Sequence, residues 1–141
     1  MTATEDLNAQ PQAGGVTLTV SSFGYKYGPI VEADWVADAR ILRNPFWEEE
    51  LRPLTGLDEP VRDYVLQQPA ARELIARLTE MLVWACARSG EHGRAAVHAA
   101  IGCTGGRHRS VVIASELAGQ LRAAGVPTTL HHRDVERPDP R

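Results

Sequence analysis

Lysine is nearly absent from this 141-residue chain: Lys26 is the single lysine among fifteen basic residues, and the other fourteen are arginine. An arginine-biased genome accounts for the skew, and it leaves Lys26 as the one compact ammonium, a point charge that a guanidinium does not copy. Cysteine is scarce as well, with only Cys86 and Cys103. Two cysteines exclude a disulfide framework, and without a secretion signal they point to reduced thiols in the cytoplasm. No apolar run reaches the roughly 18 residues that a transmembrane helix needs. The opening residues Met1 to Asp6 are acidic and lack an apolar core, so no signal peptide is expected. There is no excess of positive charge. The net charge of −3 argues against bulk electrostatic binding to nucleic acid, although six arginines and three histidines face four acids between Gly102 and Arg141. Also missing are a Gly-x4-Gly-Lys-Ser/Thr loop, which excludes a standard ATPase site, and any His-Glu or Cys-His ligand spacing. No metal and no cofactor is therefore expected.

What is present suits one domain with its own core: 43% hydrophobic and 23% charged residues. Residues 1–15 are polar, with Pro11, Gly14 and Gly15, and read as a disordered tail. Residues 16–135 read as the domain and 136–141 as a frayed end. Val16 to Ser22 alternates and is β-branched, which predicts a strand. Phe23 to Pro29 is an aromatic-rich turn. Trp35 to Leu42 predicts a second strand, on which Asp38 and Arg40 face the same side. Glu48 to Leu57 is a loop with one helical turn. Asp58 to Leu66 predicts a short helix capped by the acid before Pro60. Pro69 opens a longer helix with Leu74, Ile75, Leu78, Met81, Leu82 and Ala85 at helical spacing, stopped by Ser89-Gly90. Ala95 to Ile101 predicts a strand. A third helix follows, burying Val111, Ala114, Leu117, Ala118 and Leu121 and ending at Gly125 and Pro127. Thr128 to Arg133 is the last strand. Trp35, Trp47 and Trp84 are assigned to the core, and His98, His131 and His132 to half-buried strand positions rather than a metal site. Strands separated by helices predict an α/β fold: one domain, a mostly parallel sheet of about four strands with flanking helices, and ligands gathered beyond the C-terminal strand edges.

The most informative stretch is Gly102 to Ser110, Gly-Cys-Thr-Gly-Gly-Arg-His-Arg-Ser. A strand precedes it and a helix follows, which is the arrangement that builds an anion site. Free N–H groups and the helix dipole favour negative charge at the helix start. Gly105 and Gly106 permit a tight turn and a close backbone approach, while Arg107, His108 and Arg109 add donors suited to phosphate. Cys103 to Ser110 also fits Cys-x-x-Gly-x-x-Arg-Ser, which resembles the active-site loop of cysteine-dependent phosphatases. On that reading Cys103 is the nucleophile, Arg109 the phosphoryl holder and Asp38 or Asp34 the general acid. Gly102 departs from it, since that loop usually has histidine there. Anion binding without covalent chemistry is the leading expectation, and the phosphatase is its alternative.

Four stretches carry a closer resemblance: Ser22 to Gly28, Asp38 to Pro45, Leu51 to Asp58, and Ile101 to Ser110, joined by His132-Arg133 near the end. In this order they resemble the C-terminal domain of the RapZ family of RNase adapter proteins, over about residues 16–135. The resemblance implies a domain that senses an amino-sugar phosphate, glucosamine 6-phosphate, and binds small regulatory RNA. It further implies assembly into oligomers, presentation of RNA to an endoribonuclease, and a preceding Walker-loop domain that is not in this sequence, so that a separate nucleotide-binding protein is a further candidate partner. Carried over residue by residue, it makes Lys26, Asp38, Arg40, Cys103, Thr104, Gly105, His108 and Arg109 the pocket. Gly106, Arg107 and Ser110 complete the loop. There are two departures besides the missing Walker loop. Residues 135–141 mix charge signs where RNA-binding members have a Lys/Arg-rich tail, and Phe46 stands where members carry histidine. The expectation is a non-catalytic sensor or adapter domain, with a phosphorylated small molecule (amino-sugar phosphate or nucleotide) as ligand and structured RNA or a protein as further partners, and with no membrane association.

Overall fold

The computed structural model describes residues 15–138; of the expected tail at 1–15 and the expected frayed end at 136–141, residues 1–14 and 139–141 lie outside these. Four strands form one sheet, β1 (Thr17–Gly24), β2 (Trp35–Asp38), β3 (Ala96–Cys103) and β4 (Thr128–His132), in the order β2-β3-β1-β4 with every neighbour parallel. Three helices accompany them, α1 (Glu59–Leu66), α2 (Pro69–Glu91) and α3 (Arg109–Ala123). The α/β expectation is met.

Alternation along the strands sorts the side chains. Leu18 and Val20 of β1 and Val97, Ala99, Ile101 and Cys103 of β3 enter one core with Ile75 and Leu82 of α2 and Ile113, Leu117 and Leu121 of α3. Burying each such side chain stabilises the fold by about 1.5–3 kcal/mol. All five positions expected on the buried face of α3 are buried. On the opposite side of the sheet a smaller cluster gathers Phe23, Ile30 and Ala100, with Tyr25 and Ala33 against it. Among the described residues no helix is long and apolar enough to cross a membrane.

Several local expectations need correction. β2 stops at Asp38, whose carboxylate accepts the Arg40 N–H at 2.8 Å and caps a 3₁₀ turn over Ala39–Ile41. Asp38 and Arg40 therefore do not alternate along one strand. α2 runs through Ser89 and Gly90 to Glu91; its stop is Gly93, at φ +84°, which takes the left-handed conformation that ends helices. Asp58 occupies the position before α1 but turns back to accept the Thr55 N–H at 2.8 Å instead of a helical one. The tryptophans do not fill the core: Trp47 is 68% exposed, Trp84 57% and Trp35 39%. His131 is exposed, whereas His98 and His132 are half-buried as expected.

His132 lies between two hydroxyls, with Nδ1 2.6 Å from Ser22 Oγ and Nε2 3.3 Å from Ser115 Oγ. Burial pushes its pKa below the usual 6.5, and neighbouring His131 adds to this. The unfolded chain therefore takes up this proton first. His132's contribution to stability is complete above pH 6.5 and is lost as pH falls from there through the depressed value. Urea midpoints at about pH 7.5 and 5.5 should differ less in His132→Gln than in the parent chain.

Candidate functional site

The sheet order places a switch point between β1 and β3. From β1 the chain leaves toward β2, beyond β3; from β3 it passes through α3 to β4, on the other side of β1. Ligands of parallel α/β sheets gather at such points. The two strands end in register, Gly24 opposite Cys103, so the loops that follow emerge side by side. They are pressed together. The Lys26 N–H donates to Thr104 O at 3.1 Å, and a Cβ on Gly24 would lie 2.4 Å from the carbonyl carbon of Gly105. Gly106, at φ +78°, turns the chain into α3; a Cβ there would lie 2.6 Å from Gly24 N.

Gly102 and Cys103 belong to β3 rather than to the loop. A Cβ on Gly102 would come within 2.5 Å of the Tyr25 ring and 2.6 Å of the Phe23 ring. These rings, edge to face at 4.8 Å, explain why the histidine of the phosphatase loops has no counterpart here. Cys103 is 2% exposed, and its thiol donates to Ser110 Oγ at 3.1 Å while Ser110 N–H donates to the sulfur at 3.4 Å. His108, the residue before α3, supplies no side-chain cap, so among the described residues the Cys103 sulfur is the side chain that meets an amide of the first turn.

Arg109 begins α3 and is only 5% exposed. Its Nη1 donates to Leu42 O at 3.0 Å and Arg40 O at 3.3 Å, and its Nη2 to Thr104 Oγ1 at 3.4 Å. It thus joins the glycine loop to the turn after β2. Arg109 and Thr104 floor an open groove of about 700 Å³, whose walls include Arg40, Arg43, Trp47 and Tyr64. Arg40 is held by Asp38 through two bonds of 2.9 Å and stacks 3.9 Å above the Tyr25 ring. The Arg40 hydrogen bonds hold the Asp38 carboxyl below the usual carboxylate range. Burial, then the nearby Asp38, raises the Tyr25 phenol.

The remaining expected residues are placed differently. Lys26 is exposed in the 3₁₀ turn Tyr25–Tyr27, its ammonium 5.7 Å from the Tyr27 ring. Arg107 directs its guanidinium away from the groove floor, onto Val135 O and Arg137 O at 3.0 Å each. His108 is buried with Nε2 2.7 Å from Leu54 O, and Gly56 N–H donates to Arg107 O at 2.7 Å. The segment from Leu51 to Asp58 is thereby a third loop fixed against the glycine loop.

Sequence reasoning missed Arg43, Trp47, Glu48 and Tyr64 as groove residues. Asn44 caps the 3₁₀ turn Pro45–Trp47 by accepting the Phe46 N–H at 3.0 Å, which buries Phe46 and leaves Trp47 outside. The Asn-Pro pair was the available signal. Among the described residues no group of three His, Cys, Asp or Glu side chains is arranged to hold a metal.

The fold and the site thus define a parallel α/β domain with a glycine loop pressed into its switch point and an arginine at the helix start. Residues 16–136 match the RapZ C-terminal domain, and the chain belongs to that family. It is 51% identical over 129 residues to a nucleotide-binding protein of Streptomyces coelicolor, covering 92% of this chain and 43% of that one. A nucleotide-binding protein of Streptomyces griseus is 50% identical over 119 residues, 84% of this chain and 36% of the relative. One of Leifsonia xyli is 50% identical over 133 residues, 94% and 45% respectively. The chain thus spans less than half the length of these curated relatives.

Proposed function

We propose that the domain binds a phosphorylated small molecule, an amino-sugar phosphate such as glucosamine 6-phosphate or a nucleotide, and passes its occupancy to a partner. One observation carries this reading: Arg109, almost fully buried, meets Thr104 at the floor of a groove that starts where α3 begins. Thr104 of the glycine loop and Arg109 at the start of α3 both line this groove, where a phosphate gains charge-assisted hydrogen bonds. Arg40 and Arg43 add positive charge, and Glu48, the one acid lining the groove among the described residues, suits an amine on the ligand. Trp47 and Tyr64 offer faces for a sugar or base. The family resemblance extends this reading to an oligomer in the cytoplasm that engages structured RNA and an endoribonuclease or a separate nucleotide-binding protein.

The cysteine phosphatase is the second reading, favoured by the Ser110 N–H donating to Cys103 Sγ at 3.4 Å. Against it, the thiol is buried and both candidate acids are committed. Asp34 takes the His98 N–H at 2.9 Å and the Arg94 guanidinium at 3.1 Å, and Asp38 is bound by Arg40. Burial would raise the Asp34 carboxyl, but those two donors outweigh it and hold it low, so neither acid is poised to donate a proton.

A thermal-shift panel of glucosamine 6-phosphate, glucose 6-phosphate, nucleotides and inorganic phosphate tests both readings. A selective rise of several degrees with one phosphorylated ligand is expected, since a ligand at 100 times its Kd adds about 2.7 kcal/mol. No rise with any compound sinks the sensor reading. Release of inorganic phosphate by the parent chain, lost in Cys103→Ser, would establish the phosphatase instead.

A further inference from the structure

Asp134 is not among the residues lining the groove and carries a fully buried carboxylate. Burying a carboxylate is costly unless donors surround it, and here they do. Its Oδ2 accepts the Gly24 N–H at 2.7 Å and the Arg133 Nη2 at 2.8 Å, and Arg137 Nε stands 3.2 Å from Oδ1. A Cβ on Gly106 would lie 2.9 Å from the Asp134 Cβ, so the aspartate also backs the turn into α3. One side chain therefore meets both the end of β1 and the glycine turn into α3.

Its neighbours extend the grip. Arg133 donates to Gly28 O at 2.7 Å, beyond the Lys26 turn. Arg107 of the glycine loop donates to Val135 O and Arg137 O at 3.0 Å, and reaches Pro53 O of the third loop at 3.5 Å. Arg137 stacks 4.6 Å from the Tyr27 ring, and Tyr27 Oη donates to Pro138 O. Residues 133–138 thus cross the outer side of the loops that follow β1 and β3 and bond to each.

We infer that Asp134 is a positioning residue, and that the segment 133–138 it anchors is a clamp holding the loops after β1 and β3 in their anion-accepting shape. The inference rests on the anion site proposed above. It gives Arg107 a different task from the one expected of it: the side chain ties the loop to the clamp instead of meeting the ligand. By linkage, ligand in the cradle and a docked clamp must favour each other by the same factor. Whatever draws residues 133–138 away weakens the ligand, and the ligand fixes those residues.

The test uses the full chain with Asp134→Asn and Arg137→Ala, two readouts, and inorganic phosphate and glucosamine 6-phosphate as probes. Hydrogen exchange without ligand is the first. Faster exchange is expected at Gly24 and at residues 104–107 in both variants, with the amides of α2 and the middle of β3 unchanged; a merely structural aspartate would loosen the core as well. The second is calorimetric affinity, expected to fall about five- to tenfold in Asp134→Asn and less in Arg137→Ala. Loop exchange equal to the parent in both variants overturns the clamp whether or not either probe binds. If Asp134→Asn does not fold, Arg137→Ala decides by the same readouts. Parent-chain binding that Asp134→Asn leaves within twofold also overturns it, while a parent chain that binds neither probe strikes the anion reading and leaves the exchange result to decide the clamp.

Discussion

Arg109→Ala is expected to abolish measurable binding of phosphorylated ligands while the chain stays folded. Arg109 is 5% exposed and its guanidinium is bonded to three oxygens, so its geometry is set before a ligand arrives. Removing one partner of a buried, hydrogen-bonded charge pair costs about 2–5 kcal/mol, a thirtyfold or greater loss of affinity. The same side chain satisfies Arg40 O and Leu42 O, so stability should also fall, by about 1–3 kcal/mol. Arg109→Lys separates the two roles. It keeps the charge but not the planar fork that reaches Leu42 O and Thr104 Oγ1 together, so affinity should fall between the parent chain and Arg109→Ala. Calorimetry with the best ligand of the thermal-shift panel, alongside circular dichroism and urea melts, reads both effects. Unchanged affinity in folded Arg109→Ala would move the site elsewhere.

The strand, glycine loop and helix around Arg109 were legible because each carries a local signal. The apolar run of β3, the paired glycines and the periodic valines and leucines of α3 need no distant contact to be recognised. Asp38 and Arg40 were legible as a pair but not in their geometry. A side-chain cap, which competes with the extended backbone, turned the end of the expected strand into a 3₁₀ turn. Trp47 was misassigned because large aromatics favour burial on average, whereas here the Asn44 cap decides which of Phe46 and Trp47 points inward. Asp134 lay furthest beyond reach. It is 110 residues from Gly24, and nothing local marks an aspartate that will be buried by a parallel strand's end. The floor of the site is thus written in contiguous residues, while the parts that fix its shape come from three separate loops and become visible only when the sheet brings them together.

Gly106→Ala is expected to be the most destabilising single change in the loop. Two effects add at this position. The φ of +78° is one that an L side chain adopts at a cost of roughly 1–2 kcal/mol. The new methyl would also lie 2.6 Å from Gly24 N, 2.9 Å from the carbonyl carbon of Phe23 and 2.9 Å from the Asp134 Cβ. Two of these atoms are backbone held in the central β1–β3 pairing, so relief requires moving a strand end and not merely rotating a side chain. Overpacking of this kind costs about 1–3 kcal/mol more, for a total of about 2–5 kcal/mol against the 5–15 kcal/mol that holds a typical domain. Gly28→Ala supplies the comparison. Gly28 has a similar φ of +91°, but apart from its chain neighbours no atom of the described residues lies within 4 Å of its would-be Cβ, so only the conformational cost applies and a loss of about 1–2 kcal/mol is expected. Urea midpoints of the two variants, at equal m-values, measure the difference directly. If Gly106→Ala proves no worse than Gly28→Ala, the loops after β1 and β3 are not in the close contact on which the proposed anion site depends.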